Sequence, residues 1–449
     1  MGKLRIREKV YFLIVAVLGL SLTGWTIVTY FAIIFSSFTI ASVVVNLSTI
    51  ILLSFLILLI MRYLLLIWCS YQQHIESLDT IRHEHTPSVS IIVPAHNEGP
   101  GIGGAIQSLL QLNYPFVEII IVNDGSTDDT LESARSWEGT YRNAEIRVLN
   151  NEKNIGKAAS LNRGIKTARG EIILCMDGDS RLEPQSVMRG AAHFYNPEIA
   201  AVAGNVKIIN RVNFLTRLQA LEYIEGLNLV RRSQGFFKAV NIIPGPIGFF
   251  RKEVLEKVGG YDSDTFAEDC DLTVKILSRG WKISYEPEAV SWTEAPETIV
   301  NLFIQRYRWT RGILQALKKH KAFALNFRKT GFINVSVLFY MAFEAVVWPI
   351  MNIFGHIFFL YVALYYGAIQ LILLWWAILT LLDMIAALHS IALEEEELNL
   401  VFYALPYRLF FVLAVDVAKL LSTGEEILGL EMTWGSTERK GRIAEKGAA

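Results

Sequence analysis

Cysteine is too scarce in this chain to build a framework. Cys69, Cys175 and Cys270 are odd in number, widely separated and set in or beside apolar segments, which predicts free thiols and no disulfide scaffold. Histidine is thin as well. Of eight, the closest pair, His83 and His85, lacks the helical spacing of a zinc protease and reads as part of a polar linker. Excess charge is missing too: 42 Lys and Arg against 43 Asp and Glu leave a net charge of −1. No long basic run tracks a phosphate backbone, so DNA and RNA are not expected partners. Apolar sequence, in contrast, is abundant. At 52% hydrophobic residues over 449 positions, the chain is too apolar for a purely soluble enzyme and long enough for an α/β catalytic domain plus membrane helices.

Residues 10–35 and 41–68 are two apolar stretches divided around Ser36 and Ser37, each able to cross about 30 Å of hydrocarbon as a helix. They predict a helical hairpin. The first is too long for a signal peptide and shows no small-residue cleavage site. Lys3, Arg5, Arg7 and Lys9 put the segment before it in the cytoplasm, so two crossings return 69–331 to the cytoplasm. A second apolar block runs from Phe332 to Ser390, and a further stretch covers about 401–421 beyond Glu394–Glu397. Pro349, Asn352, Gly355 and Gly367 divide 332–390 into two or three crossings. Arg439, Lys440, Arg442 and Lys446 favour a cytoplasmic tail, hence an even number of later spans and a preference for four. Glu344, His356, Asp383, His389, Arg408, Asp416 and Lys419 are costly in lipid, so they pair within the bundle, sit at headgroup level or line a passage. The expected organisation is an N-terminal hairpin (1–70), a linker (71–87), a cytoplasmic domain (88–325), three or four C-terminal helices (326–425) and a basic cytoplasmic tail (426–449).

From Ser88 onward, strand and helix patterns alternate. VSIIVP (89–94), EIIIVND (118–124), IRVLN (146–150) and EIILCMD (171–177) read as strands, with helices near 102–112, 127–137 and 156–168 between them. Such β-branched runs predict a mostly parallel sheet covered on both faces, with ligands bound at the carboxyl ends of its strands. Asn97, Glu98, Asp124, Asp177 and Asp179 lie at or just past those ends. Gly99-Pro-Gly101-Ile-Gly-Gly104 matches the dinucleotide pattern G-x-G-x-x-G, but Pro94-Ala-His-Asn-Glu98 intervenes after the strand and would set Glu98 against a pyrophosphate. In Asp177-Gly178-Asp179 the glycine lets two carboxylates converge, which suits a hard divalent ion carrying substrate phosphates.

Taken together, VPAHNE, VNDGS, KNIGKAASLN, DGD, AEDCDL and QRYRW resemble, in order, the motifs of family 2 inverting glycosyltransferases of the GT-A fold. The likeness covers about 88–320. Gln305-x-x-Arg308-Trp309 resembles the processive branch, which includes cellulose, chitin, hyaluronan and poly-N-acetylglucosamine synthases, and 204–223 is most similar to the last of these. The resemblance implies a Rossmann-like α/β GT-A domain inserted between transmembrane helices of a multi-pass plasma-membrane protein. It also implies that Glu98 and Asp124 hold the uridine portion, that Lys157 lies near the nucleotide, that Asp177 supports the sugar nucleotide and that Asp179 binds Mg2+ or Mn2+ on the diphosphate. Asp269 becomes the general base, with Glu268 orienting it. Gln305 and Arg308 share a helix face, so Arg308 can clamp the leaving diphosphate while Trp309 stacks on the acceptor sugar. The alternative is that Tyr307 and Trp309 are interfacial aromatics with Arg306 and Arg308 on lipid headgroups.

Two positions depart from the common pattern: His96 stands where many relatives have tyrosine, and Asn123 where many have aspartate. His96 is assigned no catalytic role, and Lys153 reads as a solvated charge. The segment 432–441 resembles one that follows the last span of related synthases and carries no assigned chemistry. The expected activity is processive transfer from a UDP-sugar, preferably UDP-GlcNAc, onto a growing polysaccharide that passes through the membrane helices. Transfer of one sugar to a lipid is the alternative, and an accessory membrane subunit is left open. A catalytically dead scaffold is disfavoured because Asp179, Asp269 and Trp309 are all present.

Overall fold

A computed structural model describes residues 40–80, 85–324 and 326–431, together with Val17, Ser21, Gly24, Trp25 and Val28. The expected first span over 10–35, apart from those isolated positions, His83 and the tail from 432 lie outside the described residues.

The runs of Val and Ile read as strands form β1 (Val89–Ala95), β2 (Val117–Asp124), β4 (Ala144–Asn151) and β5 (Ile172–Cys175). β3 (Gly139–Thr140), β6 (Ser180–Leu182), β7 (Ile199–Ile208), β8 (Gly248–Arg251) and β9 (Lys282–Thr293) complete a nine-stranded sheet of order β3-β4-β2-β1-β5-β8-β7-β9-β6. Every residue of β1, β2 and β5 is buried. The absence of a polar face is the reason these strands read as continuous apolar runs. Alternate residues go to opposite sides: Ile91, Val93, Ile119 and Ile121 enter one core, and Ile92, Ile120 and Val122 the other. β4-β2-β1-β5 is parallel, and so is β7 with β9. The short β3 and β6 and the crossing strand β8 pair antiparallel. Parallel pairing brings the carboxyl ends of β1, β2 and β5 to one edge.

Helix α1 (Ile40–Thr80) precedes the sheet, and α2 (Gly99–Leu110) and α3 (Lys157–Thr167) cover it. The G-x-G-x-x-G stretch lies inside α2, with Glu98 at its N-cap and Pro100 in the first turn, where a missing N–H costs nothing. It is helix and not a phosphate-cradling loop. Further on come α4 (214–236, with a π-helical turn at Glu222–Asn228), α5 (Glu268–Leu277) and α6 (Ile299–Lys319). Asn213 caps α4 through a reciprocal capping box with Thr216.

After the domain follow α7 (Phe332–Tyr366), α8 (Ile369–Glu394) and α9 (Leu398–Leu428). With α1 over Val45–Ser77, these are the four helices among the described residues that are long and apolar enough to cross a membrane by length and composition. Three of them follow the domain, where the sequence predicts three or four. Pro349 falls in the first turn after a π-helical segment, and Asn352 and Gly355 are buried within the continuing helix. Only Gly367, in the left-handed conformation at φ 68°, ends it. These helices sit directly on the domain. Ser233 of α4 donates to the Leu66 carbonyl at 2.6 Å, Ser70 lies 2.7 Å from His389, and Arg232 pairs with Glu394 at 3.0 Å. Cys69, Cys175 and Cys270 are free and buried.

Helix α6 crosses α5 at Gly312. A Cβ there would lie 2.4 Å from the Ala267 Cβ and 2.7 Å from its backbone nitrogen. Gly312→Ala is therefore expected to push α6 off the start of α5 and to destabilise the fold by about 1–3 kcal/mol, measured as a lowered melting temperature in detergent.

Candidate active site

The edge formed by the carboxyl ends of β1, β2 and β5 opens into a cavity of about 870 Å³. Glu98, Asp124, Lys157, Asp177, Asp179, Glu268, Asp269, Gln305, Arg308 and Trp309 all line it. Residues separated by more than two hundred positions thus share one wall.

Asp124, at the end of β2, is buried. Its Oδ1 accepts from Asn151 Nδ2 and from the Ile155 amide, both at 2.9 Å, and its Oδ2 from the Gly156 amide at 3.0 Å. The carboxylate thereby ties down the loop that leads into α3. Beside it, a ring nitrogen of His96 lies 2.8 Å from the Asp124 carbonyl oxygen, so His96 packs at the strand end. Lys153 is exposed.

Past β5 the chain turns between Asp177 and Ser180, whose amide donates to the Asp177 carbonyl at 3.1 Å. A Cβ on Gly178 would stand 3.0 Å from the Pro94 carbonyl and 3.4 Å from Glu98 Cγ. Glycine lets this turn lie close against the end of β1. Lys157, the first residue of α3, reaches across with its ammonium 2.8 Å from Asp177 and 2.7 Å from Glu268. Burial opposes its charge, yet the neighbouring carboxylates of Asp177, Glu268 and Asp269 hold its pKa above the ordinary lysine value.

Asp269 sits in the first turn of α5, where its Oδ1 accepts from the Cys270 amide at 2.7 Å and its Oδ2 from the Gly245 amide at 3.3 Å. Burial first, and the Glu268 charge second, push its carboxyl up to about 6, against the opposing pull of Lys157. A carboxylate of this kind is ionised at neutral pH and basic enough to take a proton. The third side of the cavity comes from α6, which carries Gln305, Arg308 and Trp309. The Arg306 guanidinium lies 4.1 Å from the centroid of the Trp309 ring; it is ion-paired with Glu222 of α4 and donates to Gln305 Oε1 at 3.0 Å. This clamp was not read from the sequence, although the three-residue spacing of Arg306 and Trp309 places them on one helical face. Glu222, within the 204–223 segment of the resemblance but given no role there, also lines the cavity, as do Arg231, Asn241 and Gly245, which no motif signals.

Asp177 and Asp179 both line the cavity and are of the donor type that a hard divalent ion takes, with the Lys157 ammonium 2.8 Å from Asp177 at the same turn. A separate trio, Asp262, Asp264 and Asp271, also clusters closely enough to hold an ion. There, however, the Lys319 ammonium lies 2.7, 2.6 and 3.1 Å from the three, and Lys275 lies 2.7 Å from Asp262. Lysine already supplies the cation at that trio.

Residues 90–259 match the family model Glycosyl transferase family 2. The poly-beta-1,6-N-acetyl-D-glucosamine synthase of Staphylococcus epidermidis is 36% identical over 231 residues, covering 51% of this chain and 55% of that protein. The Staphylococcus aureus protein of the same name is 34% identical over 233 residues, covering 52% and 56%. The chain thus spans about half the length of the curated relatives it matches. Among solved structures, a mannosyltransferase from Pyrobaculum calidifontis in complex with GDP-Man and Mn2+ superposes with a TM-score of 0.58, over 81% of this chain and 96% of that one, at 20% identity. That likeness is one of fold, and the fold is GT-A.

Asp124→Ala leaves the Ile155 and Gly156 amides without their acceptor. The expected result is faster hydrogen exchange across 152–156 and a loss of about 1–3 kcal/mol in unfolding free energy, with Asp124→Asn intermediate.

Proposed function

We propose, for a chain whose residues 90–259 match the family model Glycosyl transferase family 2, that it is a membrane-embedded processive β-glycosyltransferase using a UDP-sugar, with UDP-GlcNAc preferred. The observation that carries this reading is the position of Asp269: it shares one cavity with the Asp177–Asp179 turn and with Trp309 of α6. The donor preference rests on the relatives named poly-beta-1,6-N-acetyl-D-glucosamine synthase.

On this reading Glu98 and Asp124 hold the uridine portion, and Asp177 with Lys157 supports the sugar nucleotide. Asp179 holds Mg2+ or Mn2+, an ion that, when bound, offsets charge on the departing diphosphate. Arg308 adds a planar cationic contact to the same diphosphate, and Trp309 stacks on the acceptor ring. The acceptor hydroxyl gives its proton to Asp269 as its oxygen bonds to the anomeric carbon. The bond from that carbon to the diphosphate breaks, and its electron pair leaves with UDP. One displacement inverts the centre, so an α-linked donor yields a β-linked product. Glu268, held by Lys157 at 2.7 Å, orients the base without taking the proton.

Two observations favour a growing glycan over a lipid as acceptor. The cavity extends past Met341, Glu344, Ala345, Val415 and Lys419, which belong to the membrane-length helices. A second cavity of about 130 Å³ shares Glu344, Val415 and Lys419 with it and adds Arg62, Arg408 and Asp416. Such walls suit a hydroxyl-rich chain better than an acyl tail. On this basis we propose that the polymer leaves along these helices, with the catalytic domain facing the cytoplasm.

The full chain in proteoliposomes with radiolabelled UDP-GlcNAc and Mg2+ or Mn2+ is expected to release UDP and build a ladder of polymer. No UDP release from any UDP-sugar overturns the enzymatic reading, and a single organic-soluble glycolipid overturns the processive one. Asp269→Asn is expected to lower turnover by about 100- to 10,000-fold with UDP affinity within about threefold of the parent. The activity should also show an acid limb, falling about tenfold per pH unit below about 6, because only the ionised carboxylate accepts a proton. The same shift sets the sign of a stability effect. A carboxyl whose pKa rises on folding is penalised where it is charged; the penalty is absent below the ordinary carboxylate range and complete above about 6. Asp269→Asn removes it, so at pH 7 the melting temperature should not fall even as turnover collapses.

A further inference from the structure

Six arginines are buried among the described residues: Arg231, Arg232, Arg251, Arg306, Arg311 and Arg408. All but the first have a carboxylate partner. Arg232 pairs with Glu394, Arg251 with Glu171, Arg306 with Glu222, Arg311 with Glu426 and Arg408 with Asp383. Arg231, 8% exposed, lines the cavity of the candidate active site from α4, and no ion pair is found for it among the described residues. Burial lowers its pKa against the opposing pull of Tyr285, Tyr223 and Asp269, yet a guanidinium stays charged at any ordinary pH. A buried cation without a paired anion is costly, which makes its place on a cavity wall informative.

The charge is supported at a distance. Arg231 Nη1 donates to Asn228 Oδ1 at 3.1 Å, and Asn228 Nδ2 donates to Asn205 Oδ1 at 2.6 Å and to the Val206 carbonyl at 3.1 Å. Asn205 Nδ2 in turn donates to the Pro287 carbonyl at 3.0 Å and to the Glu394 carboxylate. Asn205 and Asn228 are fully buried. The donors therefore run one way, from the guanidinium through two amides to a carboxylate at the end of α8. Both amides are delivered by breaks in regular structure: Asn228 closes the π-helical turn of α4, and the β7–β9 register slips between Gly204 and Asn205. Irregularities of this kind re-aim side chains and collect beside functional sites. A direct carboxylate pair would occupy the planar fork of Arg231, whereas an anchor through one nitrogen leaves its other donors to the cavity it lines.

Within the cavity Arg231 belongs to the side of Asp269, whose charge reaches it from beyond ion-pairing distance. The Asp177 side is served by Lys157. Tyr223, Leu227 and Arg231 line the cavity at four-residue spacing along α4, so an aromatic, an aliphatic and a cationic side chain share one stripe. Such a stripe offers apolar contact together with directional donors. Asp269, with Glu268 beside it, disfavours an anion at that place, so the oxygens of a neutral sugar are the acceptors that fit. We propose that Arg231 is an acceptor-binding residue. Its free donors take hydroxyl and acetamido carbonyl oxygens of the acceptor's terminal sugar, and Asn228 and Asn205 are positioning residues that hold it from the end of α8. This assignment rests on the glycosyltransferase reading above for the identity of the acceptor.

The test reads binding in the full chain, held in lipid nanodiscs. Saturation-transfer NMR with free N-acetylglucosamine reports the sugar site, and calorimetry with UDP and Mg2+ reports the nucleotide site. Arg231→Met and Arg231→Gln are each expected to cut the sugar signal about tenfold or more while UDP affinity stays within about threefold of the parent. Arg231→Lys, which keeps the charge and loses the fork, should recover part of the signal. Asn205→Ala is expected to weaken sugar and spare UDP in the same way, whereas a purely structural role would weaken both. An unchanged sugar signal in both Arg231→Met and Arg231→Gln overturns the assignment, and so does a parent chain that binds no sugar. Sugar binding that depends on Arg231 in a chain releasing no UDP from any donor upholds the site and sinks the enzymatic reading. A second measurement needs no variant: modification by phenylglyoxal, mapped by mass spectrometry of the parent. Arg231 should react through the cavity and be protected by N-acetylglucosamine but not by UDP. Modification of Arg231 at a rate indifferent to the sugar overturns the assignment independently.

Discussion

A single ammonium allows the acidic wall of this cavity to exist. Asp177 arrives at the end of β5, while Glu268 and Asp269 open α5 some ninety residues later, and three carboxylates cannot share a half-buried surface without a counter-charge. Lys157 supplies it from the first turn of α3, at 2.8 Å to Asp177 and 2.7 Å to Glu268. Its side chain is 40% exposed, so solvent screens these pairs and their weight in global stability is small. Their value is positional. The bridge fixes the start of α5 against the end of β5, and with it the distance between the base and the turn that takes the diphosphate on the proposed reading. A displacement of about 1 Å at such a site is enough to cost orders of magnitude in rate.

The parts of this architecture that the sequence revealed are those in which local pattern dictates global position. A strand that is buried on both faces has no polar side, so IIIV and IILC could be read as inner strands of a covered parallel sheet, and parallel strands must present their carboxyl ends together. Asp124, Asp177 and Asp179 were visible for that reason. Asp124 was legible in place but not in its local work, because the amides it accepts from belong to a loop thirty residues downstream. The same holds for Arg306: its partner Glu222 is carried by a π-helical turn that no periodicity announces. Nor could composition separate Pro349 as a break from Pro349 carried within a continuing helix just past a π-helical segment; the preference for a fourth later span rested on the basic residues of the tail.

On the proposed reading, the charges carried by the membrane-length helices give the reason why the α/β domain is joined to them so intimately. Arg62 pairs with Glu344 and Arg408 with Asp383, and Asp416 accepts from Asn352. Buried ion pairs of this kind rarely add stability, since desolvation consumes most of what their attraction returns, and apolar residues of similar volume would hold the helices together at least as well. Their retention therefore points to something other than cohesion. Glu344 and Lys419 line both cavities, with Arg306 on the wall of the first and Arg408 on that of the second. Polar walls of this kind suit a solute that brings hydroxyl and amide oxygens of its own. The pairing of Glu344 and Asp383 with arginines along this seam has a further consequence. A wall with little net charge offers many hydrogen bonds but little electrostatic grip, so a neutral glycan can be held without being trapped, whereas a polyanion would meet a paired carboxylate at each step. The proposed preference for UDP-GlcNAc thus has a physical counterpart in the pairing along the helices, independent of any contact in the donor pocket.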